Sequence, residues 1–338
     1  MRLLFRIILP LLLMILIILS YGRLRLFWTE TQTVRDAAPV TGHWVKAHDV
    51  ELYVQEYGNP HGMPVVLVHG TGAWSGTWAN NIEPMTQAGF RVIALDLPPF
   101  GYSERPASAN YSRHDQAQRI LGAVDTLGLK NVILVGHSFG GGPATEAAML
   151  ASGQIQALVL VDAALGLTAT SANCGTSGFL ATLLGIRPLR TAVMGTLITE
   201  PVFSKMWLKK FVARKEVVTD QRVAIYQQPF NVNHYTEDLG DWAYEFATNC
   251  ENPLSTREAE YKKLTMPVKL LWGNLDSITP LQQAEQVYKL LPNATLNVMQ
   301  GVGHIPQIED VALFNATLQA ALNSLVKHEI QPPSAGVN

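Results

Sequence analysis

The sequence predicts an α/β fold: a mostly parallel central sheet with helices on both faces and an inserted helical cap. Three observations point to it. Short, continuous apolar runs alternate with amphipathic stretches along most of the chain, as expected for strands buried on both faces and joined by crossover helices. Several runs end in glycine- or proline-rich loops, and α/β sites form in such loops at the carboxyl ends of parallel strands. The alternation stops between 166 and 262, a stretch that is helical in flavour and without clear strands.

The elements follow in order. Residues 1–28 carry Arg2, Arg6, Arg23 and Arg25 and no acid, and no residue from Ile7 to Ser20 is charged. That run is short for a spanning helix, which wants about 17–25 apolar residues, and suits a signal core of about 7–15. Leu3, Leu4 and Phe5 extend it if Arg6 snorkels, and Tyr21, Phe27 and Trp28 would serve as interfacial anchors. An uncleaved anchor is favoured over a cleaved signal, since Ser20 and Gly22 make a poor cleavage site, and over a peripheral hairpin. The slight bias of positive charge toward the N-terminus puts the body outside. The protein is thus expected at the membrane, with lipid as a partner through this segment, or secreted if the segment is cleaved.

A polar linker (29–42) leads to a core expected over 43–165 and 263–326. Strands are expected in VELYVQEYG (50–58), VVLVHG (65–70), RVIALDLPPFGYS (91–103), NVILVGHSFGG (131–141), IQALVLVDAA (155–164), VKLLWGNLD (268–276) and ATLNVMQGVGH (294–304). HDQAQRILGAVDTLG (114–128) has helical spacing and stops at Gly128. Residues 309–326 read as a closing amphipathic helix, 327–338 as a tail, and 166–262 as a helical cap or lid over the sheet's carboxyl edge.

Composition narrows the function. Hydrophobic residues make up 48% and charged residues 15% of the 338, too apolar for disorder. Without residues 1–28 the body has 21 basic and 27 acidic residues, so nucleic-acid binding is not expected. Two cysteines cannot build a four-cysteine zinc site. No cofactor or metal is expected.

Gly136-His137-Ser138-Phe139-Gly140 is a G-x-S-x-G motif, and its context gives it weight. It follows the apolar run VILV and opens into GGPATEAAML, a strand–turn–helix that lifts a serine above the sheet edge. Small neighbours let the turn adopt a strained backbone. The following helix aims its free N–H groups and dipole at the site. The turn lacks the lysine and spacing of a phosphate loop, so nucleotide binding is rejected.

A serine hydroxyl needs a base. His304, in GVGHIP after the last strand, is held at the same edge as Ser138. The imidazole needs an acid to fix its tautomer. Asp276 lies 28 residues before His304, a length that fits strand end, helix, strand and loop. Asp162, at the end of the preceding strand, is the competitor, and Asp276 is favoured. The chain order Ser, Asp, His is the one this strand–turn–helix context carries. The oxyanion donors expected are the N–H groups of Phe139 and of Thr71 in His69-Gly70-Thr71-Gly72, with His69 orienting that loop.

With VVLVHGTGAW, VIALDLPPFGYSERP, VILVGHSFGG, LLWGNLDSITP and GVGHIPQIE in order, the chain resembles the α/β-hydrolase superfamily over about residues 43–325. The resemblance is to the group that includes epoxide hydrolases, haloalkane dehalogenases, C–C bond hydrolases and small esterases. The first two use an aspartate nucleophile, and this chain has Ser138. The resemblance therefore implies a serine hydrolase of a small, apolar carboxylic ester. The alternatives are a C–C hydrolase of diketone-type acids, with Arg187 or Arg190 as candidate carboxylate partners, and a non-catalytic ligand-binding homologue.

Three further features carry less. Cys174 and Cys250 would pair if the body is exported, or stand as separate thiols. Residues 187–222 hold eight basic residues and three acids. That stretch would suit anionic lipid, although a solvated helix packing its apolar side inward is the simpler reading. The triplets at Asn110, Asn293 and Asn315 would accept glycans only in a eukaryotic secretory route.

Overall fold

The computed structural model describes the backbone of residues 2–167, 179–248 and 251–330, and the side chains of 8–167, 182–248 and 251–326. Cys174 and Cys250 lie outside the described residues. Eight described strands form one sheet: β1 (His43–Ala47), β2 (Val50–Gly58), β3 (Pro64–Val68), β4 (Arg91–Leu95), β5 (Val132–His137), β6 (Ile155–Val161), β7 (Val268–Gly273) and β8 (Ala294–Met299). Their order is β1-β2-β4-β3-β5-β6-β7-β8. β3 to β8 run parallel, and β2 is antiparallel to β1 and β4. This is the α/β-hydrolase fold.

Side-chain alternation explains the continuous apolar runs. On β5, Val132 and Leu134 join the core on one face, and Ile133 and Val135 join the core on the other. Val66 and Val68 of β3 divide from Val65 and Leu67 in the same way. With both faces covered, every position must be apolar, so the period of two is hidden in the sequence.

β1 was not expected. It is a five-residue edge strand, turning into β2 through His48 and Asp49, because Ala47 pairs directly with Val50. His48 takes a positive φ of 54° where hairpins usually place Asn or Gly, so no turn signal marked the strand.

Helices Phe179–Gly185, Arg187–Leu197, Pro201–Phe211, Asp220–Gln227 and Tyr235–Thr248 lie between β6 and β7. Leu208, Val212, Val218 and Val223 of this layer share a small core with Ile305 and Ile308, which follow β8.

The N-terminal helix, Arg2–Thr29, is continuous through Pro10. Its last turns pack on Arg187–Leu197. A Cβ on Gly22 would sit 2.0 Å from Thr196 Oγ1, so only glycine lets the two helices approach this closely. Arg25 donates to the Gly195 carbonyl at 3.0 Å and pairs with Glu200 at 3.0 Å. Leu26 is buried. The segment expected as a linker is also tied down: Thr31 and Gln32 donate to the Asn231 carbonyl, and Asn233 N–H donates to the Gln32 carbonyl at 2.7 Å.

Candidate active site

The sheet order reverses between β3 and β5, the two strands adjacent at its centre. A crevice opens at the carboxyl ends where such a reversal occurs, and the loops after β3 and β5 meet there. Ser138 follows β5 directly with φ 50°. Its turn fits because Gly140 carries no side chain: a Cβ there would lie 2.4 Å from the His69 carbonyl.

His304 Nε2 lies 2.8 Å from Ser138 Oγ, and His304 Nδ1 lies 2.8 Å from Asp276 Oδ2. Residues 166 and 28 positions apart thus form one hydrogen-bonded line, nearly enclosed. Asp276 has four donors. Oδ1 accepts from the N–H groups of Ile278 and Thr279, and Oδ2 from Thr279 Oγ1 at 2.6 Å and from His304. Burial pushes this carboxyl upward, but the bond and charge of His304, the Thr279 hydroxyl and the Ile278 N–H outweigh it. Together they hold the carboxyl below the usual range. An ionised Asp276 keeps the imidazole proton on Nδ1 and leaves the Nε2 lone pair facing the serine hydroxyl.

The backbone of His304 is clamped on both sides. Its N–H donates to the Phe211 carbonyl at 3.0 Å, and its carbonyl accepts from His137 Nε2 at 2.8 Å. Burial drives His137 down to about 3, assisted by His304 nearby, so this imidazole is neutral and has one proton to give.

The loop after β3 is set by His69. Burial lowers it to about 4, so it too is neutral. Its Nε2 accepts from Leu97 N–H at 3.0 Å, and its Nδ1 donates to the Gly70 carbonyl at 2.8 Å. In a planar trans peptide the C=O and N–H point in opposite directions, so tying back the Gly70 carbonyl turns the Thr71 N–H the other way. Gly70 itself lies against Ser138: a Cβ on it would be 2.9 Å from Ser138 Cβ. The Phe139 N–H lies in the first turn of the helical segment that starts at Ser138, where backbone donors have no intrahelical partner.

Aromatic rings wall this edge. Phe100, Phe139 and Trp242 meet edge to face with centroids 5.0–5.8 Å apart, and Trp242 stacks on the exposed Phe246 at 5.4 Å. Arg187 and Arg190, the candidate carboxylate partners, both bind Asp241 instead. Other basic residues of 187–222 are engaged as well: Lys205 with Asp220, Arg214 with Asp310 and Arg222 with the Ile308 carbonyl. Among the described residues, no three His, Cys, Asp or Glu side chains gather as a metal site.

Known proteins match both sequence and fold. A family model described as alpha/beta hydrolase fold matches residues 63–183. A 2-hydroxymuconate semialdehyde hydrolase of Pseudomonas sp. (strain CF600) is 28% identical, over 82% of this chain and 92% of its own. The meta-cleavage product hydrolase CumD of Pseudomonas fluorescens IP01 superposes with a TM-score of 0.67 at 23% identity, covering 84% of this chain and 98% of its own. Over residues 63–183 the sequence matches the alpha/beta hydrolase family, and the chain as a whole shares its fold. A structure described as a membrane phospholipase A superposes on this hydrolase with a TM-score of 0.64 at 24% identity, covering 96% of this chain and 99% of its own.

The structure brings Ser138, His304 and Asp276 into contact and sets Thr71 and Phe139 in the loops beside them. Two polar groups of the hydrolase's site escaped sequence reading. Thr279 reaches Asp276, His304 Nδ1 at 3.2 Å and the Asp162 carbonyl at 3.0 Å. Its only signal was a place three residues after the acid. His137 was visible only as a neighbour of the nucleophile.

Proposed function

We propose that the chain is a membrane-tethered serine hydrolase of apolar carboxylic esters, working through an acyl-enzyme. The observation that carries this reading is the unbroken line Ser138 Oγ, His304, Asp276 with both contacts at 2.8 Å. Ser138 Oγ attacks the acyl carbon while its proton passes to His304 Nε2. Asp276 stabilises the imidazolium, and the N–H groups of Phe139 and Thr71 take the oxyanion. His304 then gives the proton to the leaving alkoxide, which departs as the alcohol. Water, deprotonated by the same nitrogen, releases the acid and restores the serine.

The substrate class rests on the walls. Phe100, Phe139, Trp242 and Phe246 favour an apolar acyl chain, and Arg187 and Arg190 are occupied by Asp241. The tether rests on Ile8–Thr29, a 22-residue stretch whose most apolar 18-residue window has mean hydropathy 1.9 and is only 6% buried. Such a helix is about 33 Å long, against a hydrocarbon core of about 30 Å. The likeness to the membrane phospholipase A covers enough of the chain to reach into this helix. The packing of Gly22 and Leu26 favours a retained anchor over a cleaved signal, with the body on the exported side.

A second reading, C–C hydrolysis of a diketone-type acid, is favoured by the sequence relatives of stated activity, such as the 2-hydroxymuconate semialdehyde hydrolase. One experiment separates the two. The purified protein is assayed on p-nitrophenyl esters of rising acyl length and on a ring-cleavage diketone acid, with Ser138→Ala as control. Faster turnover of the diketone acid would replace the ester reading. Failure of a fluorophosphonate to label Ser138 would replace both with a binding role.

A further inference from the structure

β6 ends in a carboxyl that the proposed reaction leaves unused. Asp162 is wholly buried and takes a positive φ of 43°, which aspartate tolerates better than most residues. Its N–H donates to the Leu271 carbonyl at 3.1 Å, and its carbonyl lies 3.0 Å from the Thr279 hydroxyl, whose single proton is nearer Asp276 Oδ2 at 2.6 Å. Its side chain reaches the end of β7, where Oδ1 accepts from Gly273 N–H at 2.9 Å. Oδ2 is buried and meets no N–H or O–H group. Thr279 Oγ1 lies 2.6 Å from Asp276 Oδ2 and 3.0 Å from the Asp162 carbonyl, so the two aspartates are neighbours, and the Asp276 carboxyl acts directly on that of Asp162.

The two aspartates are placed very differently. Asp276 has four donors, the imidazole among them. Asp162 has one donor and, among the described residues, no ion-pair partner. The charged groups around it are Asp276 and, farther off, Glu309, both acids. His304 lies across Asp276 and the neutral His137 lies beyond it. An ionised Asp162 would add an unpaired negative charge to a closed space that already holds one, with nothing there to offset its desolvation. A protonated Asp162 has a hydroxyl to donate, and the acceptor it faces is the Asp276 carboxylate. Burial first, then the charge of Asp276, push the Asp162 carboxyl well above its usual value.

We infer that Asp162 is carried as a neutral carboxylic acid that donates its proton to the Asp276 carboxylate, making it a positioning residue that tempers how strongly Asp276 holds His304. The inference rests on the triad reading above. It adds a fourth member to the relay, one that never touches substrate.

The sign of the effect is testable. A donor on Asp276 weakens that carboxylate's pull on the imidazole proton. Asp162→Leu removes the donor, so the acid limb of kcat/KM should move to higher pH, by roughly half to one unit, and kcat should fall several-fold. Asp162→Asn should rescue both, because the amide copies the neutral acid: Oδ1 accepts from Gly273 and Nδ2–H donates to Asp276. If Asp162 were ionised, Asp162→Asn would remove a negative charge and move the acid limb to lower pH, which would overturn the inference.

The full-length protein in detergent is the material for both measurements. A second readout needs no substrate and does not depend on Asp162→Leu folding. The infrared carbonyl band of a protonated buried carboxyl should be present in the wild type at pH 8 and lost in Asp162→Asn. Its absence from the wild type would overturn the inference even if the esters are cleaved. Its presence without ester turnover would leave the neutral acid standing and remove only the ester reading above.

Discussion

The carboxyl edge of the sheet and the helical layer above it hold their residues by different means. At the edge, directional polar contacts set the geometry: Ser138, His304, Asp276 and Thr279 are linked at 2.6–3.2 Å. Their backbones are pinned by strand ends and by buried neutral histidines. In the layer, contact area does the work. Gly22 lies against Thr196, Leu26 is buried beneath the Arg187–Leu197 helix, and ion pairs such as Arg25–Glu200 and Arg187–Asp241 lie along the margins. Displacement of an edge atom by half an ångström costs catalysis, because proton transfer depends steeply on distance. Displacement in the layer costs area, and area is lost gradually. Substitutions at the edge should therefore act on rate, and those in the layer on stability.

The largest effect is expected at the edge. Ser138→Ala and His304→Ala should each lower kcat by at least about 1,000-fold in an ester assay, with the double variant little worse, because the pair acts as a unit. Strictly additive losses would show that the two do not work together. Asp276→Asn comes next, at about 100- to 10,000-fold, with thermal stability much less affected. Loss of fold instead of rate would place Asp276 with the structural residues.

In the layer, the effect should move to stability. A chain beginning at Thr31 loses Gly22, Arg25, Leu26 and Glu30, whose carboxylate accepts from the Thr236 N–H at 3.0 Å, while one beginning at Tyr21 keeps them. The shorter chain should melt several degrees lower but retain most of its kcat. Equal midpoints for the two chains would mean that the helix end contributes nothing to the body.

The smallest effect tests the edge by pH. His137 is depressed by burial to about 3, so its contribution is present above the unfolded value near 6.5 and is lost as pH falls from there toward the folded value. His137→Gln should therefore lower the melting midpoint at pH 7.5, and the gap to the wild type should shrink as pH falls from 6.5 toward 4. A gap independent of pH would mean that His137 is not held neutral.

Much of the edge could be read from the sequence because its signals are local. The G-x-S-x-G turn, its preceding VILV strand and the glycines around His304 are each contained in about ten residues, where backbone sterics and apolar periodicity act directly. Ser138, His304, Phe139 and Thr71 follow from strand ends alone. The choice between Asp276 and Asp162 does not, since both end adjacent strands and spacing cannot measure which carboxyl reaches His304 Nδ1. β1 was missed for the opposite reason, lacking any local mark.

By itself the sequence determined the strand-and-helix alternation, the nucleophile turn and the apolar N-terminal helix, all products of short-range pattern and turn chemistry. Only the tertiary structure decided that Asp276 faces the imidazole while Asp162 faces Asp276. It also decided that Thr279 bridges both to His304, and that the end of the N-terminal helix belongs to the helical layer through Gly22 and Leu26. These contacts join residues up to about 170 positions apart. They are fixed by the packing of whole elements against one another, and no local pattern carries that information.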